Sequence, residues 1–401
     1  MSKTILEEKW DGNYYLKLAS DFDSRLALAD ITSCLVTESF NFNSPLFIIR
    51  FTDAFGDLVT HNRISPDADY QLQLGRDEEN TEKSNYQLSK NTFQTTSFGT
   101  TENMLSQIYF VSSKWKEFIG TKRHRSWKEK KYSEVVEEIA SGLGFQDVDI
   151  EETDGKFDIL QPGWTDYQLL KWIVKRCVNT DGIGGYEIGV TFDNRFIFKS
   201  VHSLIDKRPI KEFHFGGEDS SPEKDYFFDL EIIQDYADLI KQGGSGYRYS
   251  YFDYENKKYV KDEMTPSDTD QRQLSDWLYV TENHEGPDDY YYGGRSTDTP
   301  EKIQSRILNT TNSIQKVKID VGGNIDLHIG DIVKLYISPT QHSKLKINEF
   351  YSGHYMISKV AHEINFGGHN FITQLTLSRQ GVNGTDIEGF VETSAGKQVR
   401  G

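Results

Sequence analysis

The sequence predicts a mainly β protein with an α+β insert: two small antiparallel β-barrels plus a helix-containing middle domain. Three observations carry this reading. Short runs in which apolar and polar residues alternate, broken by Asp, Asn, Gly and Ser, fill residues 14–112 and recur over 317–377. Between them, apolar residues return at helical spacing over 133–143 and 165–177, each run behind a capping residue. The 401 residues, at roughly 150 per domain, leave room for several domains with cores of their own.

Residues 1–113 are read as the first β-barrel. Its strand candidates are Tyr15–Leu18, Cys34–Phe42, Phe47–Phe51 and Met104–Val111, with Pro45, Gly56-Asp57 and Gly75 as breaks. Strands this short and this regularly alternating bury one face each, and a small barrel or sandwich is the economical way to do so.

Residues 114–210 are read as the first part of the middle domain. The opening stretch, Lys114–Lys131, holds eight Lys and Arg against Glu117 and Glu129 and interleaves Trp115, Phe118 and Trp127. Charge beside aromatic rings suits nucleic acid or an acidic partner; a solvated linker in an acidic protein gives the same pattern. Ser133 is the expected N-cap of a helix carrying Val135, Val136, Ile139, Ala140 and Leu143, with Gly144 as its stop. Thr165-Asp166-Tyr167-Gln168 matches a capping box and opens a second helix, whose wide apolar stripe makes Trp172 and Cys177 core residues. Gly182, Gly184 and Gly185 break it, and Tyr186–Val190 with Phe196–Phe198 read as a hairpin turning at Asp193-Asn194.

Residues 211–245 are expected to supply the first strands of the second β-barrel, with an acidic stretch at Glu218–Asp225 and a strand at Phe227–Ile233. Residues 246–312 read as a middle-domain insertion of long, Tyr-rich loops, closed by a short helix that starts at Pro300. Tyr247, Tyr249, Tyr251 and Tyr290–Tyr292 could stack on bases or sugars, but an edge hairpin, core or subunit interface uses Tyr for the same amphipathic reason and is the favoured reading. Residues 313–380 are the main part of the second barrel, with strands around Val317–Val321, Ile325–Ile329, Val333–Ile337, Tyr355–Ile357 and Phe371–Leu377. Residues 381–401 are polar and without period, and are expected to form a flexible C-terminal tail ordered only by a partner.

Composition and missing motifs narrow the function. With 45 Lys+Arg against 62 Asp+Glu, the net charge of −17 repels phosphate backbones, so general nucleic-acid binding is not expected. Aromatics at 13% and apolar residues at 36% suit packed domains better than a disordered or membrane protein. No window approaches the ~20 apolar residues of a membrane span, and the N-terminus lacks a signal-peptide core, so a protein kept in the cytoplasm is expected. The sequons at Asn309 and Asn383 then carry no glycan.

Cys34 and Cys177 fall in different elements and suggest neither a disulfide framework nor a thiolate metal site. The Gly-rich stretches Gly182–Gly185 and Gly243–Gly246 lack the Lys-Ser/Thr of a phosphate-binding loop, and no Gly-x-Ser-x-Gly elbow occurs. His354, His362 and His369 are the candidate metal cluster. The first two would sit far apart along a strand, and His362-Glu363 lacks the second histidine of a zinc hydrolase, so no metal site is expected. No carboxylate pair is singled out for glycoside hydrolysis. The expectation is a non-enzyme with no catalytic residue and no cofactor.

Two segments resemble a known family. The stretch from Tyr132–Ala140 through Gly163–Ile173 resembles the middle domain of phage baseplate hub proteins. Leu327–Leu335, Gly353–Ile364 and Phe371–Leu377 are similar to the final barrel of the same family. The resemblance covers most of the chain in order, rests on packing patterns, and departs from the family's pattern in the insertion between Glu218 and Asp298. It implies the tube-like β-barrels of the central hub of T-even-type contractile tails: a homotrimer whose paired barrels form a pseudo-sixfold ring joining tail tube to spike. The partners it implies are the tail tube protein, other baseplate (wedge) proteins and a separate central spike protein, since this chain ends soon after Leu377. DNA would pass through the lumen without specific binding. The implied location is the virion's tail baseplate, assembled in the bacterial host cytoplasm. The alternative from another class is a tail-associated cell-wall or polysaccharide hydrolase.

Overall fold

The computed structural model of the chain describes residues 3–10, 14–20, 31–40, 44–53, 68–75, 79, 81–98, 101–215, 225–234, 246–253, 256–265, 268, 277–278, 289–290, 298–312, 314–337, 351–366, 368 and 370–382. One sheet of thirteen strands runs through the molecule. Its first seven are β1 (Lys3–Trp10), β2 (Tyr14–Ser20), β3 (Ile31–Ser39), β4 (Leu46–Asp53), β5 (Asp69–Gly75), β6 (Thr81–Phe98) and β7 (Thr101–Ser112). They pair antiparallel in the order β1-β2-β5-β6-β7-β4-β3. The expected alternation accounts for the packing: Tyr14, Leu16 and Leu18 of β2, Phe47, Ile49 and Phe51 of β4, and Tyr70, Leu72 and Leu74 of β5 fill one core. Phe110 stacks on Phe47 at 5.5 Å and meets Tyr70 edge-on at 5.0 Å, arrangements that ring quadrupoles favour. Strand β6 is absent from the expected strands because its sequence is polar. Tyr86 is buried there while Lys83, Asn85 and Ser89 are exposed.

The middle of the chain holds α1 (Ser113–Gly120), β8 (Lys122–Lys130), α2 (Tyr132–Gly142), β9 (Val148–Ile150), β10 (Phe157–Thr165), α3 (Asp166–Val174), β11 (Tyr186–Val190), β12 (Phe196–Ser200) and α4 (Val201–Ile205). The basic stretch is therefore neither a linker nor a stacking platform. It folds into α1 and β8, the latter paired with β10, and Trp115, Phe118 and Trp127 are buried in a core shared with α2 and α3. The capping box at Thr165 forms as expected: its hydroxyl accepts the Gln168 N–H at 3.2 Å, and the Gln168 carboxamide accepts the Thr165 N–H at 3.0 Å. The N-cap of α2 is Lys131 and not Ser133. The Lys131 N–H donates to the Glu134 carboxylate at 2.8 Å, whereas Ser133 is buried and donates its N–H to Thr153 Oγ1 at 3.0 Å. Gly144, at φ +79°, follows the helix as its stop. Strands β11 and β12 form the expected hairpin, with Asn194 in its turn at φ +68°.

The remaining elements are β13 (Lys211–Phe215), β14 (Asp225–Gln234), β15 (Tyr247–Asp253), β16 (Lys258–Met264), β17 (Trp277–Leu278), β18 (Asp289–Tyr290), α5 (Asp298–Thr311), β19 (Gln315–Gly322), β20 (Ile332–Ile337), β21 (Gly353–Asn365), β22 (Asn370–Arg379) and β23 (Gly381–Val382). The series β21-β20-β13-β14-β19-β22 closes back on β21, giving a six-stranded barrel filled by Val317, Ile319, Leu335, Tyr355, Ile357 and Leu375. The barrel is mixed and not wholly antiparallel, because β13 runs parallel to both β14 and β20.

Ile325, Leu327 and Ile329 are buried, but in turns and not in the expected strand. Asn324 Oδ1 accepts the Asp326 N–H and Asp331 Oδ2 accepts the His328 N–H, both at 3.1 Å, and Gly330 stands at φ +82°. Side-chain caps thus take the place of a ladder. The Tyr-rich insertion contains a hairpin, β15–β16, whose Tyr249 packs on Ile303 and Ile307 of α5. Helix α5 begins at Asp298, with Pro300 inside the first turn, where a missing N–H leaves no bond unmade. Most of the acidic stretch (218–224), Tyr291, Tyr292 and residues 383–401 of the expected tail lie outside the described residues.

Strand β21 joins the two halves of the sheet. Its residues 359–365 pair with β22 on one side and β3 on the other, Ala361 facing both Gln374 and Thr37. The seven-stranded sheet and the barrel are therefore continuous. Among the described residues β1 is an outer strand, so the first sheet does not close as the barrel does. No described helix is long and apolar enough to cross a membrane.

Candidate functional site

The histidine candidates separate. His354 and His362 both lie on β21, where His362 is buried with its Nδ1 3.0 Å from Thr373 Oγ1; His369 lies outside the described residues. Among the described residues no group of three or more His, Cys, Asp or Glu side chains is placed to hold a metal ion. Cys34, on β3, and Cys177, just after α3, are free and buried, and burial pushes both thiols up. Asn309 sits within α5.

Two arginines of the basic stretch are paired within the fold. Asp166, the buried first residue of α3, takes an ion pair from Arg123 Nε at 3.2 Å and another from the Arg125 guanidinium. Gln161 donates to the same carboxylate at 3.0 Å and accepts from Arg125 Nε at 2.8 Å. A carboxylate at a helix N-terminus also meets the positive end of the dipole. These arginines hold β8, β10 and α3 together, which is a structural duty.

Two further polar arrangements lie where elements meet. At the first, Glu38 of β3 is fully buried and gathers three donors from distant parts of the chain. It accepts the Phe192 N–H at 2.6 Å, the Ile329 N–H at 3.4 Å, and faces His328 Nδ1 at 3.0 Å. Burial by itself would lower the His328 pKa, but the charge and hydrogen bond of Glu38 outweigh it and raise it to about 9. The junction ties the open sheet, the β11–β12 turn and the capped turns before β20 to one carboxylate. Phe192 follows its N–H into the first core.

The second is a cleft of about 770 Å³ between α3 and α5. Five cations line it: Lys171, Lys175 and Arg176 from α3 and its end, and Lys302 and Arg306 from α5. Its aromatic wall is Trp164, Trp172 and Tyr247, and none of the described residues lining it is acidic. The Arg176 guanidinium lies 4.2 Å from the Trp172 ring centre and donates to the Trp172 carbonyl at 2.8 Å. Arg306 lies over Tyr247 at 5.4 Å. Helix α5 is held in place by Gly184 and Gly185, whose N–H groups donate to Gln304 Oε1 at 3.1 Å and Ser305 Oγ at 3.3 Å. Sequence reasoning missed this cleft because its cations come from two helices far apart in the chain. The available signal was the one-turn spacing of Lys171 with Lys175 and of Lys302 with Arg306, which stacks like charges on one face of each helix.

No protein-family model matches the chain and no curated protein matches its sequence. Solved structures match it in fold. The tail protein from Neisseria meningitidis MC58 superposes with a TM-score of 0.58 at 11% identity, over 91% of this chain and 96% of that one. The 43 kDa tail protein of prophage MuSo2 from Shewanella oneidensis superposes with a TM-score of 0.59 at 10% identity, over 92% of this chain and 99% of that one. This chain has the fold of phage tail proteins. An E. coli protein described as a component of the type VI secretion system, with structural similarity to the T4 tail proteins gp27 and gp5, superposes with a TM-score of 0.46 at 8% identity, over 90% of this chain and 76% of that one. The expected likeness to phage tail proteins is met at the level of the fold. In this fold β14 leaves Phe228, Ile232 and Ile233 exposed.

Proposed function

We infer that the chain is a structural hub of a phage tail baseplate, joining the tail tube to a spike. The observation that carries the reading is the match of sheet, middle region and barrel together, over nearly the whole of two tail-protein chains. In this reading the chain forms a homotrimer whose open sheet and barrel alternate around a pseudo-sixfold ring, and DNA passes through the lumen. The net charge of −17 supports passage without capture, since few cations are available to hold phosphates. The exposed apolar residues of β14, Phe228, Ile232 and Ile233, support an assembled state, because large exposed apolar side chains on one strand favour a covered surface. The role is read as structural and not enzymatic, with tube, spike and wedge proteins as partners.

The test is the mass of the purified chain by light scattering, joined to negative-stain images. A trimer with a ring-shaped projection is expected. A monomer at every concentration, or turnover of peptidoglycan that one carboxylate substitution abolishes, would overturn the reading.

A further inference from the structure

Strand β8 sorts the cations of the basic stretch by face. Arg123, Arg125 and Trp127 turn inward, the arginines to Asp166 and the indole into the middle core. Lys122, His124, Ser126 and Lys128 alternate with them and are exposed, as the period of two requires. Arg123, Arg125, Lys130 and Lys131 each pair with a carboxylate, whereas among the described residues Lys122 and Lys128 make no hydrogen bond or ion pair. Strand β10 completes the outward face: Leu160 stands opposite Ser126 and Pro162 opposite His124, both exposed, Leu160 at 64%. The two acids of the strand pair, Glu129 and Asp158, lie at the break in register after Trp127, where Asp158 takes the Glu129 N–H at 3.1 Å. Lysines about 20 Å apart at the rise of an extended strand thus flank an apolar centre. That is the layout of an interface, with apolar residues inside a charged rim.

We propose that this outward face of β8 and β10 is where a second copy of the chain docks its acidic surface. The charge distribution names the occupant. Setting apart the eight cations and two acids of residues 114–131 turns 45 against 62 into 37 against 60, a net −23 for the rest of the chain. Copies of so acidic a chain repel one another at a distance, and a cationic face lets them approach in one orientation. Contact between unlike faces of identical chains is head-to-tail, and it closes into a ring when the rotation permits. The inference therefore rests on the hub reading and deepens it, assigning one side of the contact between subunits. Nucleic acid suits the face less. Trp127 is turned into the core, and none of the exposed residues of the two strands is Phe, Tyr or Trp, so no ring is presented to stack on a base.

The experiment follows self-association of the full chain by light scattering over a concentration series, with circular dichroism as the check on folding. Lys122→Glu/Lys128→Glu reverses the charge of the face, and Lys122→Gln/Lys128→Gln is the milder pair should the first disturb the fold. Lys258→Glu/Lys261→Glu makes the same charge change on exposed residues of β16. The expected result is an association constant lower by about tenfold or more in the β8 Glu pair, reduced less in the Gln pair, and changed less than twofold in the β16 pair. Raising sodium chloride from about 0.05 to about 0.5 M should weaken association of the unaltered chain by screening the contact. Association kept by the β8 Glu pair, equal loss in the β8 and β16 pairs, or association insensitive to salt would overturn the proposal and leave the hub reading standing. An unaltered chain that stays monomeric would overturn both, while a dimer lost in the β8 pair would uphold the proposal and overturn the hub reading. Binding of a labelled oligothymidine that the β8 Glu pair abolishes, with self-association intact, would show a nucleic-acid face instead.

Discussion

At the scale of single residues, backbone freedom and buried charge make sharp demands. Gly185 stands at φ +76°, and a Cβ placed on it would lie 2.8 Å from the Leu308 Cβ of α5. Both the conformation and the contact exclude a larger residue. Gly185→Ala should destabilise the chain by about 1–3 kcal/mol, the usual cost of overpacking, while Gly120→Ala, with nothing within 4 Å of the added carbon, should shift the urea midpoint little. His328, partly buried, and His362, buried, set a pH dependence of opposite signs. His328 is raised from 6.5 to about 9, so it binds its proton more tightly folded than unfolded; its contribution is full below pH 6.5 and is lost as pH rises towards 9. His362 is lowered from 6.5 to about 3 by burial and by the neighbouring His328; its contribution is full above pH 6.5 and is lost as pH falls towards 3. Stability from this pair is therefore greatest near pH 6.5. His328→Gln should flatten the alkaline limb between pH 6.5 and 9, as read from urea midpoints at pH 5, 6.5 and 8.5. Because burial remains the main cause of the low His362 pKa while the His328 charge is lost, the acid limb should be shallower but still present. An unchanged alkaline limb would show that Glu38 and His328 are not coupled.

At the scale of elements, what was legible in the sequence follows local chemistry. Helix α3 was readable because Thr165 and Gln168 satisfy orphan N–H groups within four residues of sequence, and the observed bonds are the expected ones. Removing the hydroxyl in Thr165→Ala should cost about 1 kcal/mol, seen as lost helical signal or a lower urea midpoint; no change would mean that packing alone sets the start of α3. The β11–β12 hairpin was readable for the same reason, its alternation and its Asn194 turn being local. The errors occur where tertiary partners decide. Ser133 looks like a cap, but Thr153, distant in sequence, claims it. Ile325, Leu327 and Ile329 have the period of a strand, yet Asn324 and Asp331 cap the backbone into turns that aim His328 at Glu38. The Lys114–Lys131 stretch advertises a charged surface, and Asp166 pairs two of its arginines. The cleft between α3 and α5 draws its cations from two helices that only folding brings together.

At the scale of the whole molecule, β21 decides how the parts behave. The barrel takes β13 and β14 from before the Tyr-rich insertion and β19 to β22 from after it, so its closure waits on contacts remote in sequence, the kind that fold slowly. The open sheet cannot be independent of that closure, since residues 359–365 give one edge to β22 and the other to β3. Ile364 makes the coupling testable. It lies on β21, and its buried side chain belongs to the core of the open sheet and not to that of the barrel. Ile364→Ala should cost roughly 2–5 kcal/mol by leaving a cavity. If the two halves unfold as one unit, that loss appears equally in the hydrogen-exchange protection of β2 and β4 and in that of β19 and β22, although the barrel core has lost no contact of its own. Helices α2 and α3, packed in a separate core, should lose less. A loss confined to β2 and β4 would show that β21 carries no cooperativity across the junction and that the open sheet unfolds alone.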